Sequence, residues 1–311
     1  MKYQIIIDEE VREQAALAVA QKKTLNLKND IVFKSFFSKG CPESVYCRHK
    51  LLSAVIGRTV TESRVLNPEL LPTRTDGKFP RLDIHCVLED GSEVDVEMQN
   101  SMYNDDQVKR SLYYAATLTH NSLSSGEPYS QLPHIYQIMI MDFSTIDDDK
   151  LHHAYTFKER DDHSELSDLM QIHYVELPKI SRIFKKPTTE LSDLEFWCIL
   201  LMAGESKEAG KLLSMLAEKE EMQMAEALLG TMSRNQQEWE NQYGYERFVH
   251  DCVSREKYAF MKGEQQGMRQ GISQGEHKRA IEDAVRLLKM GLSVEQTAQG
   301  VGLPIDEVEN L

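Results

Sequence analysis

The chain is short of positive charge, short of cysteine and without a long apolar run, and each shortage removes a class of function. Its 36 lysines and arginines face 50 aspartates and glutamates, a formal net charge of −14 at pH 7. Phosphate neutralisation by basic side chains normally supplies most nucleic-acid affinity, so the overall balance argues against a protein that binds nucleic acid by charge alone. The five cysteines, Cys41, Cys47, Cys86, Cys198 and Cys252, form an odd, scattered set with no C-x-x-C. That pattern excludes a disulfide framework or a structural zinc site and reads as reduced, mostly core thiols. No stretch approaches eighteen apolar residues, and the start MKYQIIIDEE has neither a basic segment nor a long apolar one. Neither a membrane span nor a signal peptide is expected, and the default compartment is the cytoplasm.

What is present is enough apolar residue, 41% of 311, for one large core or a core plus a smaller helical domain. Acid concentrates at Asp147-Asp148-Asp149, between Glu159 and Asp168, and at Glu218-Lys219-Glu220-Glu221. Lys28, Lys34, Arg48, Lys78, Arg81, Lys109 and Arg110 cluster in the first 110 residues, so a local basic rim is expected there.

The stretch from Arg81 to Gln99, RLDIHCVLEDGSEVDVEMQ, carries the densest chemistry. Leu82, Ile84, Cys86 and Leu88 alternate with Asp83 and His85, and Val94, Val96 and Met98 alternate with Glu93, Asp95, Glu97 and Gln99, the period of half-buried strands. A three-residue Glu89-Asp90-Gly91 loop pairs Leu88 with Ser92, which sets Asp83 opposite Glu97 and His85 opposite Asp95. Under the same register Ile84 faces Val96 and Cys86 faces Val94, whereas a two-residue turn sets each carboxylate against a hydrophobe. Opposed carboxylates repel, so Asp83 and Glu97 invite a cation, and hard oxygen ligands suit Mg²⁺ with Mn²⁺ as a substitute. Gln99, on the same face, is placed to orient water or a phosphate oxygen. An ordinary solvated sheet face shows the same alternation, so pattern alone leaves both readings open.

Asp83, the hairpin and Glu97-Met98-Gln99 together resemble the D…(D/E)-x-K core of the PD-(D/E)XK nuclease superfamily, with Gln99 at the lysine position. More specifically the chain resembles the Rpn-type recombination-promoting nucleases and transposases, whose last motif is usually E-x-Q. Leu27 to Phe37 is similar to that family's K-x-D-x-x-F-K-x-x-F segment, and Arg110 to Ala116 is similar to its R-x-x-x-Y helix. His134 to Phe143 and Glu176-Leu177-Pro178-Lys179 fit its later strands. The resemblance spans roughly residues 24 to 310. It implies an α/β, restriction-endonuclease-like core, a mixed central sheet flanked by helices, followed by a helical C-terminal region. It also implies a bacterial recombination or phage-defence setting.

Along the chain, residues 1–23 read as an N-terminal extension, 24–185 as the nuclease core, 186–260 as a helical appendage, and 261–311 as a connector with a helix-turn-helix-like tail. Asp30 serves either as an N-cap or as a helix acid near the metal. Asn104 or Asp105 caps a helix to about His120 that turns Val108, Leu112, Ala115, Ala116 and Leu118 to the core. Lys109, Arg110 and Tyr113 then face the active strands, where Arg110 clamps a phosphate through its fork or forms a structural ion pair, and Tyr113 assists or packs. Ile135 to Asp142 suits a buried central strand, and His153–Lys158 and Met170–Leu177 read as further strands. His152, His153, His163 and His173 do not make a zinc set, because neighbours on a strand diverge. Gly263, Gly267, Gly271 and Gly275 recur every four residues and point to a flexible connector or a self-association segment. Ser293 and Gln296 form a capping box, and Pro304 opens a last helix too acidic to suit a major groove.

These readings converge on a Mg²⁺-dependent DNA endonuclease with Asp83 and Glu97 as metal ligands, associating with itself through the C-terminal helices. The rival is a nuclease-fold protein of weak or no catalysis, acting as a nucleic-acid-binding or assembly module.

Overall fold

The computed structural model describes residues 7–66, 83–100 and 106–311, which pack as two units, 1–246 and 247–311. In the first, six strands form one sheet: β1 (Ser63–Val65), β2 (Ile84–Leu88), β3 (Glu93–Gln99), β4 (Ile135–Met141), β5 (His152–Lys158) and β6 (Glu165–Glu176). Their order is β1-β2-β3-β4-β6-β5. The first three run antiparallel, β3, β4 and β6 run parallel, and β5 returns antiparallel at the edge. This is the mixed, helix-flanked sheet of a restriction-endonuclease-like core, with helices following it. β4, the apolar run, is buried at every position, as a central parallel strand must be. β6 begins at Glu165, five residues before the expected Met170, because its polar first half pairs with β5.

The hairpin has the expected register. Ile84 pairs with Val96, His85 with Asp95 and Cys86 with Val94, and Leu88 N donates to Ser92 O at 2.9 Å. Gly91 takes φ +85°, and Asp90 Oδ1 accepts from Ser92 N at 3.0 Å, which closes the three-residue loop. Leu82, the expected partner of Met98, lies outside the described residues, as do Lys78 and Arg81. A side chain at Gly91 would be strained, so Gly91→Ala is expected to cost about 1–2 kcal/mol in thermal unfolding without moving the strand register.

The two sheet faces differ in chemistry. Ile84, Cys86, Val94, Val96, Met98, Tyr136, Ile138, Ile140 and Val175 face one core. That core also takes Phe33, Phe36 and Phe37 of α2 (Asp30–Ser38) and Leu51, Leu52 and Val55 of α3 (Pro42–Ile56). The later helices α5 (Asp193–Met202), α6 (Lys207–Met215) and α7 (Glu220–Ser233) join the same cluster, with Trp197 fully buried against Phe37. Ala15 and Ala18 of α1 (Glu9–Ala20) also reach it, three residues apart on one face. The opposite face carries Ile135, Met139, Met141, Ile172 and Tyr174 under Tyr114, Ala115 and Leu118 of α4 (Gln107–Asn121).

α4 is rotated from the expected placement. Asp106 is its N-cap, accepting from Lys109 N, and Asn104 and Asp105 lie outside the described residues. Gln107, Ser111, Tyr114, Ala115 and Leu118 are buried, whereas Val108 and Leu112 are 53% and 47% exposed. Apolar spacing was a poor guide because the buried stripe includes Gln107 and Ser111, whose Oγ meets the Tyr174 hydroxyl at 2.7 Å.

The helix α8 (Gln236–Lys289) starts in the first unit and continues into the second, where α9 (Val294–Val301) and α10 (Ile305–Glu309) follow. Ala284, Ala298, Leu303 and Val308 form the small core of that second unit. The Ser293–Gln296 capping box is present in both directions, and Pro304 is the N-cap of α10. Gly263, Gly267, Gly271 and Gly275 all lie within α8, so the flexible connector is not observed. Each glycine costs about 1 kcal/mol, but the intervening Glu, Gln, Met and Arg residues are strong helix formers and a long helix nucleates once. A Cβ at any of the four would meet nothing within 4 Å. Among the described residues no helix is long and apolar enough to cross a membrane.

Candidate active site

Four segments meet at one end of the sheet: the start of β2, the end of β3, the N-terminus of α2 and the first turns of α4. The hairpin register carries Asp83 opposite Glu97, and their backbones lock the pair. Asp83 N donates to Glu97 Oε1 at 3.0 Å, and Met98 N donates to Asp83 Oδ2 at 3.1 Å. Glu97 Oε2 accepts from Gln99 Nε2 at 3.2 Å and from Arg110 Nη2 at 2.9 Å. The Arg110 guanidinium also stacks 5.1 Å from the centre of the Tyr114 ring, one helical turn on.

Asp30 arrives from α2. Asn29, not Asp30, is the N-cap, because the Asn29 side chain already accepts from Ile31 N and Val32 N. Asp30 is thereby the first helical residue and turns toward Asp83, with Asn100 Nδ2 donating to Oδ1 at 2.6 Å and the Tyr245 hydroxyl donating to Oδ2. Of the two readings open for this residue, the acid beside the strands is the one with geometry.

The hairpin's polar face is buried where a solvated face would be exposed, since β3 is central and α4 covers it. Glu97 and Asp95 are both 0% exposed. Burial, then Asp95, push the Glu97 carboxyl up to about 8, and Arg110 only partly opposes this. Burial first, then Glu97 and Asp30, raise Asp83 well above the usual carboxylate range. Asp95 is raised well above it by burial, against the pull of Gln137, whose Nε2 donates to Oδ2 at 2.6 Å. Among the described residues nothing bonds Asp95 Oδ1, Gln137 Oε1, His85 Nδ1 or Arg110 Nε, a run of orphaned polar atoms along one face. Lys34, one turn beyond Asp30, lowers Asp83 and Asp95, and Arg110 lowers Glu97, Asp95 and Asp30.

Among the described residues, four carboxylates against two cationic side chains leave, when all ionise, a formal excess of two negative charges, the charge of one divalent cation. The donors are hard oxygens on rigid elements, the chemistry of a hard divalent cation and not of a soft metal.

Of the residues expected in the site, Asp30, Asp83, Glu97, Gln99 and Arg110 come together. Tyr113 does not: it is 44% exposed, and Tyr114 occupies the Arg110 face instead. Lys109 is exposed and paired with Asp106. The basic rim is thinner than the charge pattern implied, since Lys28 is buried between Asp142 and Glu205, and Arg48 is buried with Nη1 donating to Phe37 O at 2.7 Å. Lys34 is a member of the expected basic rim that stands by these acids, whereas Asp95, Gln137, Tyr114 and Tyr245 are site residues that sequence reasoning missed. Of those missed, Asp95 had a signal, two residues before Glu97 on the same strand face.

A second acidic cluster lies elsewhere. Asp148, His153 and Glu176 bring one ligand atom each within 4.8 Å of one another. Lys179 Nζ already stands 2.7 Å from Asp148 and 2.5 Å from Glu176, and His153 Nε2 is 2.7 Å from Asp148. Lys179, with His153, holds Asp148 far below the usual carboxylate range. The Lys179 ammonium stands between the two carboxylates, one positive charge against two negative ones, and ties the end of β6 to the residues that follow it. His152 points the other way, its ring 5.2 Å from that of His173, as neighbours on a strand must diverge.

Comparison with curated proteins and with solved structures finds no match. A family model described as PD-(D/E)XK nuclease family transposase matches residues 27–259, a span that takes in α2, the whole sheet, Arg110 and Tyr245. With acids on a β-hairpin at a sheet end, a flanking arginine helix and this match over most of its length, the chain belongs to the PD-(D/E)XK nuclease family transposases.

Proposed function

We propose that this nuclease is a Mg²⁺-dependent DNA endonuclease, with Mn²⁺ as a substitute cation, in which Asp83 and Glu97 hold the metal and Asp30 and Asp95 add charge around it. The observation that carries this reading is the convergence of four carboxylates, three of them raised by burial and by one another, on two cationic side chains among the described residues. When bound, a divalent cation polarises a phosphodiester and lowers the pKa of a water it holds. Gln99 orients that water or a phosphate oxygen through its amide. Arg110 pairs with Glu97 in the resting site and is placed to turn its fork to a phosphate once Glu97 is engaged elsewhere. Lys34 supplies a positive charge beside Asp83 that the neutral Gln99 does not.

The proposed setting is recombination or phage defence in a bacterial cytoplasm. The protein associates with itself through α8, where Tyr258, Met261, Met268 and Ile272 are exposed at coiled-coil steps around Gln265. Sedimentation is expected to give a species larger than one chain, and substitution of Met261 and Met268 by lysine to return it to a monomer.

A second reading, a nuclease fold of weak catalysis acting as a binding or assembly module, is favoured by one feature. Glu97 Oε2 already accepts from both Arg110 and Gln99, and no lysine occupies position 99. Purified protein with Mg²⁺ on supercoiled plasmid, single-stranded DNA and RNA separates the two. The nuclease reading expects DNA cleavage that Asp83→Asn removes; retained DNA binding with no turnover by the parent supports the second.

A further inference from the structure

The carboxylate of Asp30 is held by two donors from outside its own helix. Asn100 Nδ2 lies 2.6 Å from Asp30 Oδ1 and 2.6 Å from Lys28 O, so it clamps the residue at the end of the E-x-Q strand to the start of α2. The other donor is the hydroxyl of Tyr245, 215 residues on, from the first turns of α8. Tyr245 does not reach Asp30 by chance of rotamer, because the same part of α8 is fastened to the α2 region twice more. Glu238 accepts from Ser35 and from Lys39 Nζ, the latter at 2.7 Å, and Gln242 Oε1 accepts from Asn26 N at 3.1 Å. Positions 238, 242 and 245 are four and three residues apart, one stripe of a helix.

A phenol gives a carboxylate one hydrogen bond and leaves the oxygen's second lone pair for another partner. With Asn100 on one oxygen and Tyr245 on the other, Asp30 is fixed in rotation beside Asp83, whose carboxyl it raises. Removing the phenol oxygen frees that rotor while leaving the ring's packing in place. We propose that Tyr245 is a positioning residue of the active site, so that helix α8 completes the acid set that receives the divalent cation. This rests on the reading of Asp83 and Glu97 as cation ligands.

The test is calorimetric titration of Mn²⁺ into the full chain and its Tyr245→Phe, Asp30→Asn, Asp83→Asn and Gln242→Ala variants, with the Asp30→Asn/Tyr245→Phe double. Tyr245→Phe is expected to weaken Mn²⁺ binding about tenfold, the scale of lost support to a metal ligand. The double variant should bind no more weakly than Asp30→Asn alone, because Tyr245 acts through Asp30. Gln242→Ala, which loosens α8 without touching Asp30, should bind as the parent does. Unchanged affinity in Tyr245→Phe, multiplied losses in the double, or an equal loss in Gln242→Ala would each overturn the proposal. If Asp83→Asn binds Mn²⁺ as the parent does, the cation reading itself fails; if Asp83→Asn loses binding and Tyr245→Phe does not, only the role of Tyr245 falls.

Discussion

Glu97→Gln is expected to reduce Mg²⁺-dependent cleavage of supercoiled plasmid by on the order of 10³-fold, since metal stabilisation of transition-state charge is worth several kcal/mol and each 1.36 kcal/mol is about tenfold. The same substitution should leave the metal-free protein no less stable at pH 8. The two effects part because Glu97 is costly in the resting fold: it is fully buried, two residues from Asp95, and opposite Asp83. Asp83 N and Arg110 Nη2 reach different oxygens of Glu97, so a glutamine's one oxygen keeps only one of these bonds, a loss of about 1 kcal/mol, while its neutral amide removes the larger cost of desolvating a buried charge. Cleavage scored by plasmid nicking and stability scored by thermal unfolding test both halves. A variant that cuts as the parent does, or that melts well below it at pH 8, contradicts this placement of Glu97.

The metal-free protein should also lose stability as the pH rises from 6.5 to 8. Glu97, ordinarily near 4.5, is pushed up to about 8 in the fold, so across this window the folded chain keeps a proton that the unfolded chain has released. Raising the pH therefore favours unfolding, and Asp83 and Asp95 act with the same sign. His152 and His173 act oppositely. Burial lowers both to about 4 from 6.5, so their contribution grows between pH 4 and 6.5 and is complete above it. His49, lowered by burial too, joins the histidine set; below pH 6.5 the two sets oppose each other, and above it the histidine contribution levels off while that of the carboxylates continues. One proton over that interval is worth about 2 kcal/mol, or roughly 4 °C in melting temperature. Saturating Mg²⁺ replaces the retained protons, so it should raise the melting temperature more at pH 8 than at pH 6.5. A melting temperature that is flat or rises over this range, or a Mg²⁺ shift larger at pH 6.5, goes against the account.

The part of the site that was legible in the sequence is the part whose geometry is local. Asp83 opposite Glu97 follows from a three-residue loop with Gly91 at positive φ and from alternation on both strands, constraints that agree within one hairpin. Asp30 is different. Its neighbour Asn29 takes the cap, a competition between adjacent capping residues that spacing does not decide, and only the packing of Phe33, Phe36 and Phe37 brings the helix start to Asp83. Tyr113 and Tyr114 were exchanged because one residue of helix phase is 100°, and the buried stripe of α4 includes polar Gln107 and Ser111. Lys28 and Arg48 looked like surface charge, yet both are buried in pairs or backbone hydrogen bonds that tertiary contact alone creates. The flexible-connector reading of the glycine repeat fails because residue propensities do not register the cooperativity of a long helix. Tyr245 was invisible for the plainest reason, a partner more than two hundred residues away.

The most direct test of the central claim is the position of Mn²⁺ in crystals of the protein, read from its anomalous scattering. The account predicts a peak between the carboxylates of Asp83 and Glu97, absent from Asp83→Asn crystals, and none at Asp148, His153 and Glu176, where Lys179 already stands. A peak only at that second cluster, or no peak in crystals of a protein that nevertheless cuts DNA with Mn²⁺, would contradict it.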